Sequence, residues 1–221
     1  MAQLLIFDWD GTLCDSLSRI VEAIRSSAVA LELPVPSEQA SRDIIGLGLK
    51  EALEVLFPGL SARKIEGLRQ RYAEYYVSQD QEPSPLYPRV RETLLELKEA
   101  GFHMAVATGK SRKGLDRVLA GLDMGDFFDA SRCADETRSK PDPLMLTELT
   151  RYFGVGADRS LMVGDTTYDM EMARNARMPR VAVTYGAHDP QRLHTYQPLA
   201  LLDCLSGLGD SIKKQNLAPE C

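Results

Sequence analysis

The chain has 221 residues, 44% of them hydrophobic and 26% charged, with 32 acidic against 26 basic side chains and a formal net charge of −6. That length and balance suit one large globular domain, or a medium one carrying an insert, and exclude a disordered, fibrous or disulfide-dense chain. The negative charge disfavours nucleic acid or an anionic membrane as main partner, because both call for a basic surface.

The first apolar run, LLIFDWDG at 4–11, reads as a strand covered on both faces and ending in a polar turn. Asp8 and Asp10 are two residues apart, so on a strand they point to one side, at the carboxyl end where open parallel sheets place ligands. Two such carboxylates repel, and a divalent cation relieves the repulsion; a hard, oxygen-rich site with few protein ligands suits magnesium. Gly11 lets the backbone turn and exposes its amide, and Trp9, between the acids, is expected to face the sheet packing. Alone, DWDG also fits a plain strand and turn.

Residues 15–82 show helical periodicity without a strand pattern and read as a helical insert. In it, Tyr72, Tyr75 and Tyr76 have the spacing of a packed helix face, and Gly46 and Gly48 mark either an inter-helix turn or a substrate contact. Pro83, Pro85 and Pro88 then require an extended connector, so entry after Leu13 and exit near 83–87 form adjacent hinge strands.

Beyond the insert, strands alternate with helices, as in βαβ units around a parallel sheet of five or six strands. A helix is expected over 89–101, capped by Gly101, then strands at 103–109 and 127–133. A helix over 141–154, a strand at 160–165, a helix at 169–178 and a strand at 180–186 follow, with an edge strand at 200–203 and a terminal helix last. Three polar signals sit in this half. Thr108 closes a strand and, with Gly109 and Lys110, offers a hydroxyl and amides as a phosphate cradle, though Thr-Gly also simply ends strands. Lys140 precedes a proline expected to open a helix, where a cation and the helix N-terminus suit an anion. Asp165 closes the strand at 160–165 as a metal ligand, with Asp169 a partner through water or a helix cap.

Cys14, Cys133, Cys204 and Cys221 have no zinc spacing and read as free thiols; His103, His188 and His194 share no ligand spacing and read as surface or strand-edge residues. The opening MAQLLIFDWD lacks the basic flank of a signal peptide, and no window approaches the ~18 apolar residues of a membrane span, so a cytoplasmic protein is expected.

The order DxDGT, strand-Thr-Gly, Lys-Pro and Gly-Asp-x-x-x-Asp resembles the four signature motifs of the haloacid dehalogenase superfamily of phosphatases, over nearly the whole chain. The insert is similar to the helical cap of the subgroup that includes phosphoglycolate phosphatases and β-phosphoglucomutases. The resemblance implies a Rossmann-like α/β parallel-sheet core (1–14 and 83–221) with an inserted helical cap (15–82). It implies Asp8 as nucleophile, Asp10 as general acid and base, and Thr108 and Lys140 on the transferring phosphoryl group. It further implies Mg²⁺ held among Asp8, Asp10, Asp165 and Asp169, with Gly11, Gly46, Gly109 and Lys110 contributing to phosphate or substrate binding.

Asp10 separates the chain from true dehalogenases, which have no alkoxide to protonate. Leu49, beside Lys50 in the loop 43–53, stands where a mutase of this subgroup is expected to carry an arginine, and Gly109 stands where Thr-Asn-Lys is usual. The expected activity is hydrolysis of a small phosphorylated metabolite by a monomer or homodimer, with no nucleic-acid or membrane partner. A phosphomutase, a pyrophosphatase and a catalytically silent binding module are the alternatives.

Overall fold

The computed structural model describes residues 3–78 and 83–214. Its strands are β1 (Leu4–Phe7), β2 (His103–Thr108), β3 (Ala130–Cys133), β4 (Ser160–Gly164), β5 (Arg180–Val183) and β6 (Leu201–Leu202). Among the described residues they form one parallel sheet in the order β3-β2-β1-β4-β5-β6. The order reverses about β1, and open α/β sheets bind ligands at the carboxyl ends beside such a switch.

Alternation along β1 builds both layers of the core. Leu5 and Phe7 face one side, where they pack with Val90, Leu94 and Leu97 of helix α5 (Val90–Glu99), Leu115 of α6 (Arg112–Gly121) and Ile212 of α10 (Leu208–Lys214). Leu4 and Ile6 face the other, against Met145 and Leu149 of α7 (Leu144–Phe153) and Met172 of α8 (Thr167–Asn175). Both faces are thus covered, which explains the continuous apolar runs. Trp9 joins the first layer, fully buried with its ring edge toward Phe128, as its position between two acids predicts.

The region between β1 and α5 is helical: α1 (Leu17–Ala30), α2 (Glu38–Asp43), α3 (Leu49–Leu56) and α4 (Ala62–Ser78). Ile20 and Ile24 of α1 meet Ile44, Ile45 and Tyr76 in one cluster; Leu53, Phe57, Ile65 and Leu68 form a second. The segments entering and leaving this region are paired. Asp15 donates its N–H to the Pro85 carbonyl and Tyr87 donates to Leu13, each at 2.9 Å, with Cys14 opposite Leu86 in antiparallel pairing. Residue 82, where the expected exit begins, lies outside the described residues, as does Cys221.

Several boundaries differ from expectation. Each strand is shorter: after β1, β2 and β4 the polar residues turn away to build the site, whereas β3 loses its first three expected residues and β6 one at each end. The helix expected from Pro141 begins at Leu144: Asp142 donates its N–H to Ser139 and accepts from the Leu144 N–H, folding 139–142 into a turn. Helix α9 (Pro190–His194), between β5 and β6, is an additional short element. No helix among the described residues is long and apolar enough to cross a membrane.

Candidate active site

β1 and β4 lie side by side in register, Phe7 opposite Val163, so the residues after them emerge together. Asp8, Asp165 and Asp169 offer carboxylate oxygens within 4.8 Å of one another, all buried. Lys140 enters from the turn before α7 and places its Nζ 2.7 Å from Asp8 Oδ1 and 2.6 Å from Asp169 Oδ1. Burial opposes the Lys140 charge, but Asp169 and Asp8 outweigh it and hold the ammonium above its usual range.

Three carboxylates against one ammonium leave surplus negative charge in a medium of low dielectric. Burial accordingly raises the Asp8 carboxyl well above its ordinary value, only partly offset by Lys140, and pushes Asp165 up to about 7 despite hydrogen bonds from Ala187 N–H and Thr12. Asp8 Oδ2 is buried without a hydrogen-bond partner. An orphaned hard oxygen beside surplus negative charge fits a divalent cation of the magnesium class. Asp169 is more fully occupied: Oδ2 accepts from the Thr166 amide and hydroxyl in the capping box that opens α8, and Oδ1 meets Lys140.

Asp10 has a separate set of partners. Its Oδ1 accepts from Ser16 Oγ at 2.5 Å and lies 3.0 Å from Lys110 Nζ. Ser16 occupies the N-cap position of α1 but makes no capping bond; its hydroxyl serves Asp10 instead. Lys110 also lies over the Tyr76 ring, 5.0 Å from its centroid. Burial lowers the Lys110 pKa, but the Asp10 carboxylate and the Tyr76 and Tyr72 hydroxyls reverse that, raising it well above the usual lysine value.

Asp8 and Asp10 open onto a cavity of about 500 Å³ between the strand ends and the inserted helices, with Gly46, Gly109 and Lys110 also in its wall. Thr108 is fully buried below it, its hydroxyl accepting the Lys110 N–H at 3.1 Å. At Gly109 a Cβ would overlap the carbonyl oxygen of Leu47, so the loop after β2 and the insert loop touch backbone to backbone. Gly46 meets the hydroxyl and methyl groups of Thr166 across the same seam.

Gly11 departs from its expected role. With φ at +85° it makes the turn, and a Cβ there would strike the Asp165 carboxylate, but its N–H donates to the Cys14 carbonyl at 3.0 Å. The amide closes the turn after β1 and is not presented to a phosphate.

His188 also differs from the surface residue expected. It is 2% exposed; Nδ1 accepts from the Thr167 N–H at 3.0 Å and Nε2 meets the Asp43 carbonyl at 3.2 Å. Tyr168 donates to the same carbonyl, and Arg192 pairs with the Asp43 carboxylate at 2.6 Å. This cluster ties the end of α2 to the core. Sequence gives no signal for it, because Tyr168, His188 and Arg192 are 125, 145 and 149 residues from Asp43 and meet it only through the fold's crossovers. Thr12 lay within the DGT motif, and only the register of β1 on β4 aims its hydroxyl at Asp165.

The geometry has counterparts in known proteins. The model of the haloacid dehalogenase-like hydrolase family matches residues 5–183. The chain is 32% identical to the "Probable phosphatase IndB" of Dickeya dadantii over 99% of its length and 98% of the relative's. It is 34% identical to a phosphoglycolate phosphatase of Vibrio cholerae, covering 89% of this chain and 90% of that protein. The crystal structure of a predicted phosphoglycolate phosphatase from Haemophilus somnus superposes with a TM-score of 0.86 at 27% identity, covering 95% of this chain and 97% of the other. The chain belongs to the haloacid dehalogenase-like hydrolase family. Within it, it is a phosphatase of the phosphoglycolate-phosphatase-like kind.

Proposed function

We propose that the protein is a magnesium-dependent phosphatase that hydrolyses a small phosphorylated metabolite through a phosphoryl group carried on Asp8, and that it works in the cytoplasm. The observation that carries this reading is the Asp8 carboxylate at the end of β1: it faces the cavity, one oxygen is held by Lys140, and the other is buried without a partner. We assign residues 1–14 and 83–221 to a catalytic core and 15–82 to a helical cap; the paired segments around Cys14 and Leu86 support a hinge there.

In this reading an Asp8 oxygen bonds to phosphorus as the bond from phosphorus to the alcohol oxygen breaks, and Asp10 gives the departing alcohol oxygen a proton. Water then attacks phosphorus, Asp10 takes its proton, and Asp8 and phosphate are released. Lys140, fixed between Asp8 and Asp169, offsets negative charge as the nucleophile meets the phosphoryl oxygens. Lys110 and Ser16 orient Asp10, and Thr108 braces the turn that carries Lys110. Asp8, Asp165 and the Asp10 carbonyl would hold Mg²⁺, with Asp169 setting Lys140 in place. When bound, the ion supplies charge neutralisation at the phosphoryl oxygens.

Leu49 gives the cavity wall an apolar side chain where a mutase would need a grip on a second phosphate, which supports hydrolysis over transfer. The test is phosphate release from a generic phosphomonoester with Mg²⁺ or with EDTA, for wild type and Asp8→Asn. Turnover that needs both the ion and Asp8 supports the proposal; turnover by Asp8→Asn at the wild-type rate would sink it.

A further inference from the structure

The cavity wall opposite the aspartates has a chemistry that a two-carbon phosphoacid does not call for. Ile20, Ile24, Ile45 and Leu49 line it, together with Tyr72 and Tyr76, whose rings stack with centroids 5.6 Å apart. A carboxylate on the leaving group would need a cation free to meet it. The basic side chains of the wall are ion-paired, stacked on a ring, or at the exposed rim. Lys110 pairs with Asp10, Arg69 with Glu66 at 2.6 Å and Lys50 with Glu54 at 3.4 Å. Arg117 lies over the Tyr76 ring, 5.3 Å from its centroid, and Lys113 is on the exposed rim.

At about 500 Å³ the cavity falls within the roughly 300–1,000 Å³ of sites that enclose drug-sized ligands, well beyond the needs of glycolate. Removing an apolar ring from water against isoleucine and tyrosine side chains is favourable, whereas a buried carboxylate without a partner is not.

We propose that the substrate is a phosphomonoester of an alcohol bearing an apolar ring, not a two-carbon phosphoacid. The proposal rests on the phosphatase reading above. Phosphate sits over Asp8 and Lys140, and the ring lies against Ile24, Ile45 and Leu49 beneath α4.

Three primary alkyl esters with similarly basic leaving alkoxides test it: ethyl phosphate, 2-phenylethyl phosphate and 2-phosphoglycolate, each measured as kcat/KM for the full chain with Mg²⁺. The expected result is at least a tenfold preference for 2-phenylethyl phosphate over both others. In Leu49→Arg, which places a cation in the half-buried wall, the ratio of 2-phosphoglycolate to 2-phenylethyl phosphate rises at least tenfold. A wild-type kcat/KM for 2-phosphoglycolate equal to or above that for 2-phenylethyl phosphate overturns this inference and leaves the phosphatase reading standing. Phosphate release from none of the three esters above the Asp8→Asn background overturns both.

Discussion

The floor and the roof of the cavity are built on opposite physics. The floor is ionic: Asp8, Asp165, Asp169 and Lys140 are all buried, and their side chains are held by one another, by Thr12 and Thr166, and by backbone amides. The roof is isoleucine, leucine and tyrosine from α1, α3, α4 and the loop before α3, with its charged groups at the rim. Burying charge at this density is unfavourable without full pairing, whereas apolar walls tolerate exchange of one side chain for another of similar volume. If the floor carries the proposed chemistry and the roof the proposed selection, the two are separable, and substitutions on the two sides should fail in different ways.

The sharpest contrast is at Asp8. Asp8→Asn keeps the shape, removes a buried negative charge, and should lower kcat by ~10⁴-fold or more with the melting temperature unchanged or raised. A roof change such as Leu49→Arg should alter the ranking of substrates instead. Lys140→Met tests the floor's stability. It strands Asp8 and Asp169 without their shared cation and should cost about 3–5 kcal/mol in urea unfolding, with part recovered by adding Asp169→Asn.

The seam between floor and roof should respond more mildly. Gly109→Val pushes a side chain into the Leu47 carbonyl, which only a backbone shift relieves, and should lower kcat/KM by about tenfold and unfolding free energy by about 1–3 kcal/mol. His188 makes the seam sensitive to acid. Burial lowers its pKa below 6.5, so the folded chain binds this proton less readily than the unfolded one. Stability should then be fully present above about pH 6.5 and fall on acidification below it, by at most ~1.4 kcal/mol per pH unit from this group. His188→Asn should flatten that slope in thermal melts recorded across pH 5–8. The smallest effect is expected for Arg192→Gln, whose ion pair with Asp43 is largely solvated: below ~1 kcal/mol in the same melts, and weaker with added salt.

The floor was legible in the sequence because each of its members follows an apolar strand or marks a turn. Asp8, Thr108, Lys140 and Asp165 could be placed at the carboxyl end of the sheet once the alternation of strands and helices was read. The partners that orient them were less so. Ser16 has the sequence look of a helix cap, and only the turn made by Gly11 brings Asp10 back within its reach. His188 and Asp43 meet across two different parts of the chain, and no local periodicity reports such a meeting. Strand ends were overextended for the same reason that makes them useful: polar residues just past a strand continue its pattern on paper while leaving it in space.

Ser16 stands where α1 starts, yet its hydroxyl is bound to Asp10, the residue proposed above to handle protons. A shift of α1 that carried Ser16 with it would draw that hydroxyl away from Asp10 Oδ1, leaving the carboxylate to Lys110 alone. If the cap proposed above opens with Ser16, an open cap and a fully braced Asp10 would exclude one another.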